Sequence, residues 1–480
     1  MKTKLNLVSA LVLQVITIFS GLIIPRLTIM TFGSSVNGLI SSISQFLSFI
    51  SLLEGGLGAV VLAELYKPIE NRNKKLISNI LNASNNFFKK LSIAFIVYTI
   101  ILMIFYPIFF SKSNNYLYTS SLIFILSIST LIQYLLSITY TLMLQADQKI
   151  YVCNIVSSIT ILLNLIVSVI VVVIFPDVHL MKLLSGLVYL IQPIIYKLYF
   201  EKHYDFKIKS NSEHELKNKW SGFSQNLAHY ITMNTDVMLL TVFTSFSEVS
   251  VYTIYMLPLN ALRLIISSVA NSFQSNLGKL LAVNDKKILN TTFEKFESIL
   301  WLVSNVLFGT CLLLINQFVL IYTNGVNDAN YFQPYFAYFM VLSQLLYCGR
   351  ESYRLLVLAA GKFKETNNGA ILEAIINITV SLLLVNKLGL LGVAIGTFIS
   401  VLYRLIYLVI YSVNEMSIIK INKIIKESLL IILIVGMNTL IYYLQPFSIY
   451  TIVDFIIFGF IIFVLETVVI YLSGKLLKLI

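Results

Sequence analysis

Charge is what this 480-residue chain has least of: Asp, Glu, Lys and Arg make up 12% of it, against about 25% in an ordinary soluble domain. A chain so poor in charge cannot clothe a water-facing surface. With 58% hydrophobic residues and a mean hydropathy of +0.86 it reads as an integral membrane protein. Cysteine is also scarce. Cys153, Cys311 and Cys348 lie inside apolar runs at spacings that suit neither a disulfide framework nor a zinc site, so they read as small packing residues. There is no Walker loop, no HExxH and no dinucleotide fingerprint, which argues against energy from directly bound ATP and against a bound cofactor. The first apolar run is too long for a cleavable signal peptide and lacks a small-residue cleavage site.

What is present is a succession of apolar runs. A bilayer core of roughly 30 Å needs about 20 residues of helix. Runs of that kind fall near 5–31, 36–64, 87–110, 117–145, 151–174, 180–200, 221–246, 250–278, 293–323, 331–359, 366–386, 390–412, 427–445 and 449–472. The expectation is fourteen transmembrane helices. Lysines gather between alternate runs, with only Lys112, Lys182 and Lys387 on the opposite side, which orients the chain with both termini cytoplasmic. That asymmetry also accounts for the net charge of +12 without nucleic acid. The segments on the outer side are short, leaving no room there for an active site.

Arginine is used differently from lysine. Of the arginines, Arg26, Arg263, Arg350, Arg354 and Arg404 lie within the apolar runs, and Arg72 alone does not. Inside the membrane this chain selects guanidinium groups, which stay charged and match the fork of phosphate oxygens.

The chain is also duplicated. At an offset of 213 residues Tyr140 meets Tyr353, Ala146 meets Ala359, Lys149 meets Lys362, Asn164 meets Asn377 and Ser168 meets Ser381; at 212, Lys74-Lys75 meets Lys286-Lys287. Six spans per half give two pseudo-symmetric six-helix bundles of like orientation, plus two C-terminal helices. The expected divisions are a first bundle over 1–200, a cytoplasmic linker over 201–219, a second bundle over 220–412 and the extra pair over 413–480.

The stretch "SGLIIPRLTIMTFGSSVNGLISSISQFLSFISLLEGGLGAVVLAELYKPI", Ser20–Ile69, resembles the oligosaccharide flippases of bacterial polysaccharide assembly. These form a branch of the multidrug/oligosaccharidyl-lipid/polysaccharide exporter superfamily. The features that match are the Pro-Arg of "IIPRL", the "FGSSVNGL" turn, the Gln-Phe-Leu step, the "EGGLGA" cluster and the "LYKPI" exit. The resemblance implies a V-shaped pair of bundles with a central cavity lined mainly by spans one, two, seven and eight. Opening alternately to the two sides of a bacterial cell membrane, it would carry a polyprenyl-pyrophosphate-linked oligosaccharide outward. Glycosyltransferases and a polymerase of the same pathway would be its partners.

Polar stripes lie on the same helices. Gln225, His229, Thr232 and Asp236 share one face of span seven, and Asn260, Arg263, Ser267, Asn271 and Gln274 share one face of span eight. In span two, Asn37, Ser41, Ser44, Ser48 and Ser51 form a third stripe with Glu54 beside it. Such stripes face protein or water rather than lipid, and simple helix–helix hydrogen bonding competes with a cavity lining as their explanation. At 1.5 Å per residue Asp236 and Arg263 lie roughly 15 and 20 Å deep, which makes a pair plausible. In such a pair Asp236 either is structural, holds the arginine until a phosphate displaces it, or carries the coupling Na+ or H+. Arg26 lies roughly 9 Å deep beside Pro25, which removes a backbone donor and bends the helix. Arg26 and Arg263, with Asn260, Gln225, His229 and Asn271, are the candidate substrate-binding residues; Asp236, Glu54 and Pro25 are the candidates for coupling or gating. Arg354 and Glu373 lie at similar depth and form a candidate structural ion pair with Arg350 and Glu351 close by, whereas Arg404 reads as local packing and Glu466 stands isolated.

Three other readings compete. A drug or cation exporter of the same superfamily would want an acidic cavity, while the deep charge here is mostly arginine. A flippase for the lipid-linked peptidoglycan precursor fits the charge equally well. A membrane glycosyltransferase or polymerase would need acids in sizeable outer loops, and Asp177, Glu248 and Asp328 are scattered in short ones.

Overall fold

The computed structural model describes residues 2–54, 56–110, 116–208, 223–283, 286–362, 365–414, 421–444 and 451–476; the side chains of Glu54, Gln225, His229 and Gln274 are among those outside the description. The described residues form helices and connecting turns, and every apolar run contains helix. Among the described residues eleven helical segments are long and apolar enough to cross a membrane. Of the fourteen expected spans the seventh, tenth and thirteenth are not among them: the tenth carries Arg350, Glu351 and Arg354, the seventh a polar stripe, and the thirteenth is represented by the shorter apolar stretch Ile432–Tyr442. Large apolar side chains face outward along these helices, Phe109 at 71% exposure and Val173 at 76% among them. In water such faces would aggregate; against lipid they are solvated. The chain is a multi-pass integral membrane protein.

It divides into two compact units, Met1–Leu227 and Ala228–Ile480. In the first, α1 (Lys2–Phe32) runs through Pro25 as one helix and stops at Gly33, whose φ of 87° suits only glycine there. The second apolar run is broken into α2 (Ser34–Leu47), α3 (Ile50–Glu54) and α4 (Leu57–Glu70). Then come α5 (Lys74–Phe110) and α6 (Tyr116–Ile132), which passes through a π-helical turn at Gln133–Ser137 into α7 (Ile138–Ala146). The unit continues with α8 (Ile150–Ile174), α9 (Val178–Val188) and α10 (Ile191–His203). Its core is built from Leu57, Val61, Leu65, Leu81, Leu122 and Ile123, all fully buried. Neutral hydrogen bonds cross it: the Tyr106 hydroxyl donates to Ser42 Oγ at 2.6 Å and Ser120 Oγ donates to the Met103 carbonyl at 2.7 Å.

A polar knot closes one end of this unit. Asp147 accepts from the Tyr204 hydroxyl at 2.6 Å and lies 2.7 Å from Lys149 Nζ. Burial, reinforced by that carboxylate, holds the Tyr204 phenol above its ordinary range. Asn6 clamps the same turn, donating to the Gln148 carbonyl and accepting from the Tyr151 N–H, each at 3.0 Å.

Helix α11 (Phe223–Phe243) enters the second unit, followed by α12 (Phe246–Val283), α13 (Lys286–Tyr322), α14 (Pro334–Gly349), α15 (Glu351–Ala359), α16 (Asn367–Leu388), α17 (Leu390–Asn414), α18 (Ile421–Leu444) and α19 (Ile452–Leu476). Helices α16 and α17 approach closely through Gly392 and Gly396, spaced as GxxxG. A Cβ on Gly392 would lie 2.6 Å from the Leu384 carbonyl carbon, and one on Gly396 would strike Ser381.

The duplication reaches the backbone. After α7 the N–H of Lys149 returns to the Leu144 carbonyl and that of Gln148 to Gln145; after α15, Lys362 returns to Val357 and Gly361 to Leu358. Both are Schellman caps, each position 213 residues from its counterpart, with the left-handed residue at φ 57° in Gln148 and 71° in Gly361. In the next helix Asn164 donates to the Ser185 carbonyl of α9 at 3.2 Å, and its counterpart Asn377 donates to Thr397 of α17 at 3.1 Å.

Candidate functional site

Among the described residues the buried charged side chains all lie in the second unit. Asp236 of α11 is 3% exposed. Its Oδ2 accepts from the Tyr252 hydroxyl of α12 at 3.0 Å and from the Thr397 hydroxyl of α17 at 2.8 Å, and Thr397 in turn accepts from Asn377 of α16. Four helices therefore meet at one carboxylate. Asp236 Oδ1, Asn377 Oδ1 and Ser381 Oγ are buried without hydrogen-bond partners among the described residues. Oxygens predominate around the carboxylate, and the Asn377 amide nitrogen is the exception, donating to Thr397. Depth along the helices pairs Asp236 with Arg263; among the described residues they form no ion pair, and the carboxylate is buried with hydroxyls on its Oδ2 alone.

Arg263 of α12 is half-buried and forms no ion pair among the described residues. Its Nη1 donates to the Met233 sulfur of α11 at 3.1 Å, and its guanidinium lies 5.5 Å from the centre of the Tyr347 ring of α14. Both partners are polarizable and neither cancels the charge.

The remaining arginines of this unit's apolar runs all meet carboxylates. Spacing joins Arg354 to Glu373, but in the structure Arg350 Nη1 reaches Glu373 Oε1 at 2.5 Å, and Arg354 grips Glu351, one turn back on its own helix, at 2.7 and 2.8 Å. Arg350 lies at the junction of α14 and α15 and its guanidinium reaches α16, while Arg354 stays on its own helix. Arg404 is part of the same cluster: its Nε lies 3.6 Å from Glu373 Oε2 and its Nη1 donates to the Thr366 carbonyl at 3.0 Å. Glu373 thus bridges two guanidiniums. Glu466 of α19, isolated in the sequence, packs beside Asn438 of α18 at Gly309 of α13, where a Cβ would lie 2.9 Å from the amide nitrogen and 3.1 Å from the carboxylate.

Other candidates are dispersed. Arg26 and Pro25 are partly buried in α1, six and seven residues from its end. Asn260 is partly buried in α12 with an unpartnered Oδ1, whereas Asn271 is exposed. Gln225 and His229 lie on α11 and Glu54 ends α3, but their side chains fall outside the described residues, as does most of the linker. Sequence reasoning missed Met233, Tyr252, Tyr347 and Thr397. Each is a common residue in an apolar run, and only its spacing from a charge on another helix gives it meaning.

Solved structures of membrane transporters share the fold of this chain. A structure titled "Lipid II flippase MurJ, inward closed conformation" superposes with a TM-score of 0.73 at 16% identity, covering 99% of both chains. An inward-facing multidrug resistance MATE family transporter of the MOP superfamily gives 0.66 at 14% identity over 82% of this chain and 94% of that one. The MATE multidrug transporter DinF-BH gives 0.64 at 14% identity over 86% and 96%. At 14–16% identity the likeness to these three structures is one of fold. No family model matches the sequence, and no curated protein matches it.

Proposed function

We propose that this protein is a flippase that translocates a polyprenyl-pyrophosphate-linked oligosaccharide from the cytoplasmic to the outer leaflet of a bacterial membrane by alternating access. The observation that carries the reading is Arg263. In a unit where Arg350, Arg354 and Arg404 are each bound to a carboxylate, Arg263 has, among the described residues, a thioether and a ring. A buried charge is expensive to leave unpaired, so an unneutralised guanidinium in a membrane helix suits a phosphorylated headgroup as its transient partner. Arg26, the arginine that the oligosaccharide-flippase resemblance singles out, is assigned to the same headgroup. We assign Asp236 to coupling: the carboxylate and its oxygen-rich surroundings fit a transported H+ or Na+.

The test is translocation of a fluorescent polyprenyl-pyrophosphate oligosaccharide in proteoliposomes. Arg263→Leu is expected to slow flipping about tenfold to a hundredfold, the size of a lost charge-assisted hydrogen bond, with Arg263→Lys between the two. Full activity in both Arg263→Leu and Arg26→Leu overturns the reading. Asp236→Asn is expected to abolish stimulation by an imposed Na+ or H+ gradient while leaving gradient-independent exchange. A second reading, the lipid-linked peptidoglycan precursor as cargo, is favoured by the full-length likeness to a lipid II flippase. Competition between the two lipids in the same vesicles separates them.

A further inference from the structure

Tyr347 lies in α14, three residues before Arg350, and is 8% exposed. Two guanidiniums share its ring. That of Arg350 lies 4.3 Å from the ring centre and that of Arg263 lies 5.5 Å from it. They are not equivalent. Arg350 is already committed to Glu373, which it shares with Arg404, whereas Arg263 has no counter-charge among the described residues. The four side chains run in series from three helices and the α14–α15 break: Glu373, Arg350, Tyr347, Arg263.

This series has a mechanical meaning. The Arg350–Glu373 pair is buried on both sides, at 6% side-chain exposure each, and fixes the Arg350 guanidinium firmly. Arg350 lies against the Tyr347 ring and so helps hold its orientation. Arg263 then takes its own orientation from that ring and from Met233. A guanidinium over a ring face is held through its π surface while most of its N–H donors stay available, and its charge is undiminished. A carboxylate in place of the ring would hold Arg263 equally well but would compete with an incoming phosphate.

Resting on the assignment of Arg263 to the headgroup, we propose that Tyr347 is the positioning residue for that arginine: its ring, held by the Arg350–Glu373 pair, sets the Arg263 guanidinium for a pyrophosphate without neutralising it. Tyr347 does not touch the lipid itself.

The experiment measures binding of undecaprenyl pyrophosphate and of undecaprenol to the purified full chain in lipid nanodiscs. Tyr347→Leu is expected to weaken undecaprenyl pyrophosphate binding about tenfold, the size of a desolvated cation–π contact, and to leave undecaprenol binding unchanged. Tyr347→Phe, which keeps the ring, restores pyrophosphate binding to within about twofold. In an Arg263→Leu background Tyr347→Leu has no further effect, because the two act through one contact. Should Tyr347→Leu not yield folded protein by its melting curve, Tyr347→Met carries the same comparison. Equal weakening of both lipids, or a loss that persists in the Arg263→Leu background, makes Tyr347 merely structural and overturns the inference. Weak binding by Arg263→Leu with full binding by Tyr347→Leu overturns it while sparing the headgroup reading. Unchanged pyrophosphate binding by Arg263→Leu overturns both.

Discussion

The two units bury polar groups of different kinds. Among the described residues of Met1–Leu227 the buried polar side chains are all neutral: serines, threonines, asparagines and Gln192. In Ala228–Ile480, Asp236, Glu297, Arg350, Glu351, Glu373, Arg404 and Glu466 are buried as well. The repeated cap and the Asn164/Asn377 pair mark a common helical plan, so the plan itself does not demand charge. One copy satisfies its asparagine with a backbone carbonyl; the other passes the hydrogen bond through Thr397 to a carboxylate. Charge in a membrane helix is costly and marks function or a structural lock. In the proposed reading Asp236 and Arg263 are the functional charges of the second unit, and the Glu373 cluster is its structural lock.

The contrast can be broken most severely at Glu373. Glu373→Gln leaves Arg350 and Arg404 buried together without their shared counter-charge, and the expected loss is about 3–5 kcal/mol in equilibrium unfolding from mixed micelles. A loss under about 1 kcal/mol would mean that the second unit does not depend on its ion pairs. Next in size is Gly361→Gln, which places a side chain at φ 71° and is expected to cost about 1–2 kcal/mol by the same measurement. In the neutral unit Tyr106→Phe removes the hydrogen bond to Ser42 and should cost about 1 kcal/mol, several-fold less than Glu373→Gln. Smallest is the reciprocal cap change. Gln148→Gly relieves a left-handed side chain at φ 57° and is expected to raise the melting temperature slightly, by under about 1 kcal/mol in stability, while the Asn6 bond to the backbone carbonyl persists.

The sequence carried the helices well because a bilayer leaves the backbone few choices: twenty apolar residues in hydrocarbon must satisfy their own hydrogen bonds. It also marked Arg263, Arg350, Arg354, Glu373 and Asp236 as unusual, since each is a charge in an apolar run. Partners were less legible. Arg350 and Arg354 share a helical face, and spacing alone does not say which of them reaches Glu373 and which stays on Glu351. Asp236 and Arg263 have matching depths, but depth along a helix says nothing of the azimuth at which each side chain leaves it. Tyr347 was invisible for a plainer reason: tyrosine is abundant here, and a ring announces its role only when a cation is seen over its face.

The bridging of Glu373 between Arg350 and Arg404 has a bearing on biogenesis. These residues enter the translocation channel in the order arginine, glutamate, arginine, on successive hydrophobic segments. Released singly into lipid, each would oppose partitioning by about 2.5–3.5 kcal/mol. Released as a group, the segments enter with two of their three charges already joined and the third beside them. In chain order Glu373 of α16 is thus the first carboxylate beyond α14 and α15 able to hold Arg350 in the bilayer.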